Sequence, residues 1–126
     1  MSIVGSIKRV AVNGTAYDAA ADSNLTQNPP KMIEGIATSG KTMMKVTRQV
    51  ATVESITVIA DGLDYQLLLT AVENAANGET YPISYTEASG DVYRATGTIN
   101  LESRETETGA ATITFIPEGD WTFFSA

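Results

Sequence analysis

The sequence predicts a mainly β protein, either a two-sheet sandwich or a partly closed antiparallel β-barrel, with one flanking α-helix. Apolar and polar residues alternate along residues 91–102 and again along 111–115, which is typical of strands with one buried and one wet face. Short apolar runs separated by turn residues fill most of the remaining chain, and only one stretch has helical spacing. The length of 126 residues indicates one domain spanning residues 1–126.

A strand pair is predicted on either side of Asn13-Gly14. The flanking runs, residues 6–12 and 15–18, are short and extended, with Val10 and Val12 on one face. Asn-Gly favours a type I′ hairpin turn because both turn positions need a positive φ. The chain therefore opens with a β-hairpin.

A long loop is predicted after this hairpin. Residues 19–30 are small and polar and end in Pro29-Pro30, which cannot continue a β-ladder. Residues 31–37 are extended and weakly apolar, and a turn follows, so the loop region is taken to be about residues 19–41. Loops of this length are usually functional or disordered. We expect this one to be poorly ordered in a free monomer and ordered against a partner, although a floppy insertion is the alternative.

The middle of the chain predicts two strands and the helix. Residues 42–50 alternate, with Met44, Val46 and Val50 opposite a polar face. Residues 52–60 are rich in β-branched residues on both faces, which indicates a central strand. The helix is predicted over residues 61–74, with Asp61 or Asp64 near its start and Asn77-Gly78 as its stop. Its predicted core stripe consists of Tyr65, Leu68, Leu69, Val72 and Ala76.

The last third predicts an edge or starting strand followed by an antiparallel hairpin. Residues 80–86 alternate, and Pro82 sits early in the run, which is typical of an edge strand or of a strand start. Residues 92–102 bury one face, from Tyr93 to Leu101, and present the other to water. A charged loop over 103–109 joins them to the strand at 111–115.

Composition excludes several classes of function. The chain has neither Cys nor His, so disulfides, thiolate metal sites and the Ser-His-Asp and Cys-His catalytic arrangements are impossible. A net charge of −7 makes tight phosphate binding unfavourable, because affinity for nucleic acid rests mainly on Lys and Arg. No apolar run approaches 18 residues and no secretory signal is visible. No pattern indicates an enzyme, a cofactor or a metal site.

The order of elements and several short sequence segments resemble the tail tube protein of contractile-tailed bacteriophages. The resemblance covers nearly the whole chain and rests on layout. It is carried by the strand pair around Asn13-Gly14, the polar loop after it, the extended segment 42–60, the helix after Asp61, the Asn77-Gly78 turn, and the ending at 98–102, 112–116 and 119–124.

The resemblance implies a fold also found in the tube of type VI secretion. Six copies form a ring whose sheets join into one inner barrel, and the rings stack into a hollow tube in the virion, assembled in the host cytoplasm. It implies as partners the protein itself, the tail sheath protein, the tape-measure protein, and the baseplate and tail terminator proteins. DNA would pass through without specific binding. The alternatives are a type VI secretion-like tube component and a monomeric β-sandwich binding module.

Two sets of residues are candidates for roles in such a tube. A polar channel wall with net negative potential would let DNA slide, and the wet faces of two strands supply candidates for it. The lumen-facing candidates are Thr96, Thr98, Asn100 and Glu102, followed by Lys45, Thr47 and Gln49, with a carboxylate expected near Lys45. In the resembled family the long loop contacts the next ring. The inter-ring candidates are therefore Asp22, Asn24, Gln27, Pro29, Pro30 and Lys31.

Overall fold

The fold consists of one large antiparallel sheet, one helix and a separate two-stranded sheet, seen in a computed structural model that describes residues 7–19, 25–38 and 40–125. The prediction of a mainly β antiparallel fold with one flanking helix is confirmed. The elements are β1 (Ile7–Val12), β2 (Thr15–Asp18), β3 (Thr26–Gln27), β4 (Lys31–Thr38), β5 (Lys41–Arg48), β6 (Val53–Ile59), α1 (Gly62–Ala76), β7 (Tyr81–Glu87), β8 (Val92–Arg104), β9 (Ala110–Pro117) and β10 (Thr122–Phe124).

The large sheet has eight strands in the order β2-β1-β7-β8-β9-β6-β3, with β10 paired to β8 beside β9. Neighbouring strands are all antiparallel. One isolated bridge, between Ala19 and Val58, links the end of β2 to β6. The sheet therefore curls toward closure without closing. The second sheet contains only β4 and β5.

The core lies between the inner face of this sheet and the helix. Tyr85, Ile99, Ile113 and Phe115 alternate inward along β7, β8 and β9 and are buried, as the sequence predicts. Leu68 joins this cluster from the helix. These side chains carry most of the burial that stabilises the fold, because apolar area removed from water is the main favourable term in folding.

The Asn13-Gly14 turn and the helix boundaries follow the sequence closely. Asn13 and Gly14 have φ values of 49° and 84°, as a type I′ turn requires. The helix starts after Asp61, whose side chain makes no capping hydrogen bond, and Gly78 has the positive φ of a helix stop. Leu68 and Val72 pack toward the sheet. The predicted stripe is wrong at two positions: Leu69 and Ala76 are exposed, and Ala71 is buried instead.

Of three strand predictions, two hold in part and one is wrong. Residues 31–37, predicted to be extended within a loop region of about 19–41, belong to β4, which pairs with β5 along its whole length. The extended conformation is therefore confirmed, and the predicted loop region is too long. The strand predicted to be central, β6, lies next to the sheet edge, because β3 covers only two of its residues. The strand with the early proline, β7, begins at Tyr81, so the strand-start alternative for Pro82 is confirmed. It lies between β1 and β8, so the edge-strand alternative is wrong.

Candidate functional site

The β4–β5 hairpin, Lys31–Arg48, is an arm that carries its side chains outside the body of the fold. Its register runs without a shift from the Lys31–Arg48 pair to the Thr38–Lys41 pair. Every residue of β5 is exposed. A two-stranded hairpin is at best marginally stable alone in water. An arm of this kind is therefore stabilised when another surface packs against it.

The two faces of the arm differ in polarity. Side chains alternate across the hairpin, and directly paired residues share a face. One face is mainly apolar. Between Lys31 and Arg48 at the root and Thr42 near the tip, it carries Ile33, Ala37, Met44 and Val46. The opposite face is mixed, with Met32, Glu34, Ile36, Met43, Lys45 and Thr47. Met44 is 77% exposed, and its cross-strand partner is Gly35, so no side chain stands opposite it.

The arm is basic and the rest of the chain is acidic. Four of the eight basic residues lie in the arm, against one of the fifteen acidic residues, Glu34. The arm therefore carries +3. Four basic and fourteen acidic residues remain, which give the rest of the chain −10. Opposite potentials on two parts of one surface favour contact between separate copies.

A set of hydrogen bonds joins the two chain segments that lead into and out of the arm. Gln49 donates from its side chain to the Pro29 carbonyl at 2.6 Å and from its backbone to the Pro30 carbonyl at 2.9 Å. Asn28 donates its backbone N–H to the Thr52 carbonyl at 3.0 Å and its side-chain amide to the Thr52 hydroxyl at 2.8 Å. The side-chain amide of Asn28 also donates to Glu54 of β6 at 3.3 Å. The two strands of the arm are therefore held together at its root, beside β6.

A cavity of about 310 Å³, which we call the root pocket, opens beside this attachment. Its wall is formed by Tyr85, Tyr93 and Trp121 together with Gln27, Asn28, Pro29, Pro30, Ala51, Val53 and Asp120. The Tyr85 and Tyr93 rings stack with centroids 5.0 Å apart, and the Trp121 ring meets Tyr85 edge-on at 5.4 Å. The volume lies at the lower end of the range of ligand sites.

Two polar groups of the aromatic wall, on Trp121 and Tyr85, already have hydrogen-bond partners within the chain. Trp121 Nε1 donates to the Ala51 carbonyl at 2.7 Å, and the Gln27 side-chain amide donates to the Tyr85 hydroxyl. Burial raises the pKa of Tyr85 above its ordinary value, so its hydroxyl stays neutral at physiological pH. Asp120 is the one ionisable carboxylate of the wall. The pocket therefore offers apolar ring faces with negative charge at one side.

The outer face of β8 and β9 is mainly polar, with the half-exposed Ile116 directly opposite Thr98. On β8, Thr96, Thr98 and Asn100 point away from the core, as the sequence predicts. Glu102 is exposed at the register shift between Leu101 and Ser103 and borders a hollow with α1, so it is separate from this face. Paired strand β9 adds Thr114 opposite Asn100. This face lies on the side of the sheet away from α1, whose buried residues join the core. Whether it lines a channel stays a prediction.

The other candidates fall at the arm and its root. Lys45 and Thr47 lie on the mixed face of the arm, with Glu34 directly opposite Lys45, and Gln49 lies at the root. These three residues are therefore separate from the β8 face. Gln27, Pro29 and Pro30 line the root pocket, and Lys31 starts the arm. Asp22 and Asn24 lie outside the described residues.

Sequence reasoning missed the root pocket and the basic arm. The pocket is assembled by contacts distant in the chain, such as Gln27 with Tyr85 and Ala51 with Trp121. The four basic residues of the arm are spread over 18 positions and form no run. The signal available in the sequence was the charge of the segment between Pro30 and β6, which contains four basic residues and one acidic residue.

The similarity of this chain to known proteins gives it no family and no function. Neither a protein-family model, nor a curated protein, nor a solved structure matches this chain. Within residues 7–19, 25–38 and 40–125, no group of three or more Asp and Glu residues is placed to hold a metal ion. The one helix of that part of the chain is too short and too polar to cross a bilayer.

Proposed function

We propose that this protein is a structural subunit that self-assembles into a hollow tube of the phage-tail type. The observation that carries the proposal is the arm: a basic hairpin with exposed apolar side chains on an acidic body. Such an arm is complementary to other copies of the same chain. Apolar side chains exposed in a contiguous set mark interaction surfaces.

Two further features support a ring-forming subunit. Among the described residues, the large sheet ends at β2 on one side and at the two-residue strand β3 on the other, and the Ala19–Val58 bridge links β2 to β6 without closing the sheet. The edges of an open sheet can be covered when neighbouring subunits pair. The polar outer face of β8 and β9 suits the wall of a water-filled channel. In the proposed tube Thr96, Thr98 and Asn100 face the lumen, and the arm contacts the next ring.

The resemblance to tail tube proteins supplies the remaining terms of the proposal. Six copies form each ring, the tail sheath protein surrounds the tube, and the tape-measure protein fills the channel before DNA passes. Baseplate and tail terminator proteins cover the two ends. The site of action is the virion, after assembly in the host cytoplasm. A type VI secretion-like tube would use the same fold and the same contacts. The proposed role requires no catalysis.

The test is assembly of the purified protein. We expect the mass measured by sedimentation to rise with concentration, and negative-stain images to contain hollow tubes with a six-fold cross-section. A protein that stays monomeric at high concentration at every salt concentration would overturn the proposal. A reconstruction with the β8 threonines on the outer surface, or with a net basic lumen, would overturn the lumen assignment alone.

A monomeric binding module is the second candidate. The root pocket favours it, because a cavity of about 310 Å³ lined by three aromatic rings is a common form of small-ligand site. The two functions are distinguished by the arm, which a monomeric module leaves exposed. The mass measurement above separates them.

A further inference from the structure

We propose that the root pocket of one copy receives the Met44 side chain from the arm of a second copy. This inference rests on the proposed self-assembly and states where the arm docks. It joins two surfaces of the described part of the chain: the exposed apolar face of the arm and the aromatic wall of the pocket.

Met44 is the side chain of the arm best suited to enter a pocket. At 77% it is the most exposed large apolar residue described. Gly35 is paired with it across the hairpin, so no side chain lies directly beside Met44 on the other strand. Methionine is flexible and fills irregular cavities. Ile33 and Val46 flank it on the same face and can cover the rim of the pocket.

The wall of the root pocket suits a thioether. Tyr93 and Trp121 are the partly exposed rings of the cavity and pack on Tyr85, which is buried behind them. Methionine sulfur makes favourable contacts with aromatic rings. The hydroxyl of Tyr85 and the indole N–H of Trp121 already have partners within the chain. An apolar guest therefore leaves neither of these two groups without a hydrogen bond.

The arm of the same chain does not fill the pocket. Met44 lies four residues beyond the Lys31–Arg48 pair, about 13 Å along the strand from the root. Its side chain is 77% exposed and is not part of the pocket wall. The Met44 side chain that fills the pocket therefore comes from another copy. The root pocket of that second copy stays open for the arm of a third copy.

Charge favours the same contact. The arm carries +3, and the pocket has Asp120 in its wall with Glu118 in the adjoining turn. Lys45 is on the arm next to Met44 in sequence, on the opposite face. A basic arm approaching an acidic rim is steered by opposite potentials, and the apolar contact then fixes the position.

Cross-linking between two single-cysteine variants tests the contact directly, because the natural chain has no Cys. One variant is Met44→Cys, and the other is Asp120→Cys at the exposed side of the pocket wall. The matched control replaces Asp120→Cys by Gln66→Cys on the exposed surface of the helix. The pairs are mixed, allowed to assemble and oxidised, with one partner carrying a mass tag. We expect heterodimers from the first pair at least tenfold above the control.

The single tryptophan provides a second readout on the intact protein. Filling the pocket removes water from Trp121, so its emission should shift to shorter wavelength as the protein assembles. Met44→Ser should abolish this shift and raise the concentration needed for assembly roughly tenfold to hundredfold, the loss expected for one buried apolar side chain. Leu63→Ser is the control, because Leu63 is 74% exposed on the helix and is not in the proposed contact.

The outcomes separate this inference from the proposed function. Tubes that form with no preferred cross-link and no Trp121 shift would overturn the docking site and leave the tube intact. A preferred cross-link in short oligomers that never form tubes would support the docking site and overturn the tube. Equal weakening by Met44→Ser and Leu63→Ser, or a pocket that binds a small ligand without competition from assembly, would also overturn the docking site.

Discussion

Gly97 shows how a single residue fixes the contact between β8 and β9. A Cβ built on Gly97 would lie 2.7 Å from the Pro117 Cα and closer still to the Ile116 carbonyl oxygen. Both obstacles are backbone atoms of the paired strand, so they cannot move aside cheaply. The sequence places Gly97 on the buried face of β8, but the close approach depends on a strand 20 residues later.

Replacing Gly97 should therefore cost far more than replacing a glycine with free space. We expect Gly97→Ala to lower the free energy of unfolding by about 2–4 kcal/mol, because strain of this kind is among the larger mutational effects. Gly119→Ala is the control, since nothing lies within 4 Å of its added methyl group. Urea unfolding of both variants measures the difference. Equal stability of the two would contradict the predicted clash.

Three buried tyrosines make stability fall at high pH. Burial is the main cause that raises the pKa values of Tyr17, Tyr81 and Tyr85 above their ordinary value of 10.0. Between the unfolded and folded pKa values, the folded chain keeps protons that the unfolded chain has lost, so stability decreases as pH rises. Well below pH 10 this effect is absent, and between its unfolded and folded pKa values each tyrosine contributes a slope of at most about 1.4 kcal/mol per pH unit.

The test compares slopes, not absolute stabilities. Tyr85→Phe removes one titrating group, so above pH 10 its stability should decline less steeply than that of the natural protein, by about 1.4 kcal/mol per pH unit. Urea titrations at a series of pH values from 8 upward provide both slopes. Identical slopes would mean that Tyr85 does not titrate with folding.

At the scale of elements, the helix contributes packing. Leu68 is fully buried, and the Tyr81 hydroxyl joins the helix to the sheet by donating to the Ala71 carbonyl and accepting from the Ile99 N–H, both at 3.0 Å. Leu68→Ala should lower stability by about 2–5 kcal/mol, as for other fully buried leucines. Leu63→Ala, an exposed position of the same helix, should change it little. A loss below about 0.5 kcal/mol at Leu68 would contradict the assignment of this face.

The arm should be the least protected pair of strands in the free protein. It is a two-stranded sheet with exposed side chains, and such hairpins open readily. Backbone amides of β4 and β5 should exchange with solvent much faster than those of β8 in dilute protein, and become protected on assembly. Equal protection in dilute and assembled protein would contradict a role for the arm in subunit contacts.

The sequence predicts the elements with one buried face better than it predicts their partners. Tyr93 to Leu101 alternate because one side of β8 faces a core, and that pattern is local. The arm has no buried face, so the alternation in β5 did not reveal that Lys31–Thr38 pairs with it. The position of β6 depends on β3, a strand of two residues that no periodicity can detect. The root pocket depends on pairs 58 and 70 residues apart, which lie beyond any local pattern.

At the scale of the whole molecule, charge is divided between arm and body, and salt should weaken assembly. Raising salt screens the attraction between an arm of +3 and a body of −10, because the Debye length falls to about 3 Å at 1 M. Lys45→Glu should raise the concentration needed for assembly about twofold to fivefold, the effect of one exposed charge pair. Lys8→Glu changes the net charge equally on the body and should have less effect. Sedimentation at several salt concentrations measures both, and equal effects would contradict steering by the arm.

The proposed contact between the arm and the root pocket would also make any row of copies directional. When the arm of each copy occupies the pocket of the next, the last pocket at one end stays empty and the last arm at the other end stays bare. One end of the row then exposes a cavity with aromatic walls and an acidic edge, and the other end exposes a basic hairpin that carries a methionine. A protein that blocks growth at either end must have a surface complementary to the one exposed there. Two blocking proteins of different chemistry would be needed to define a finite length.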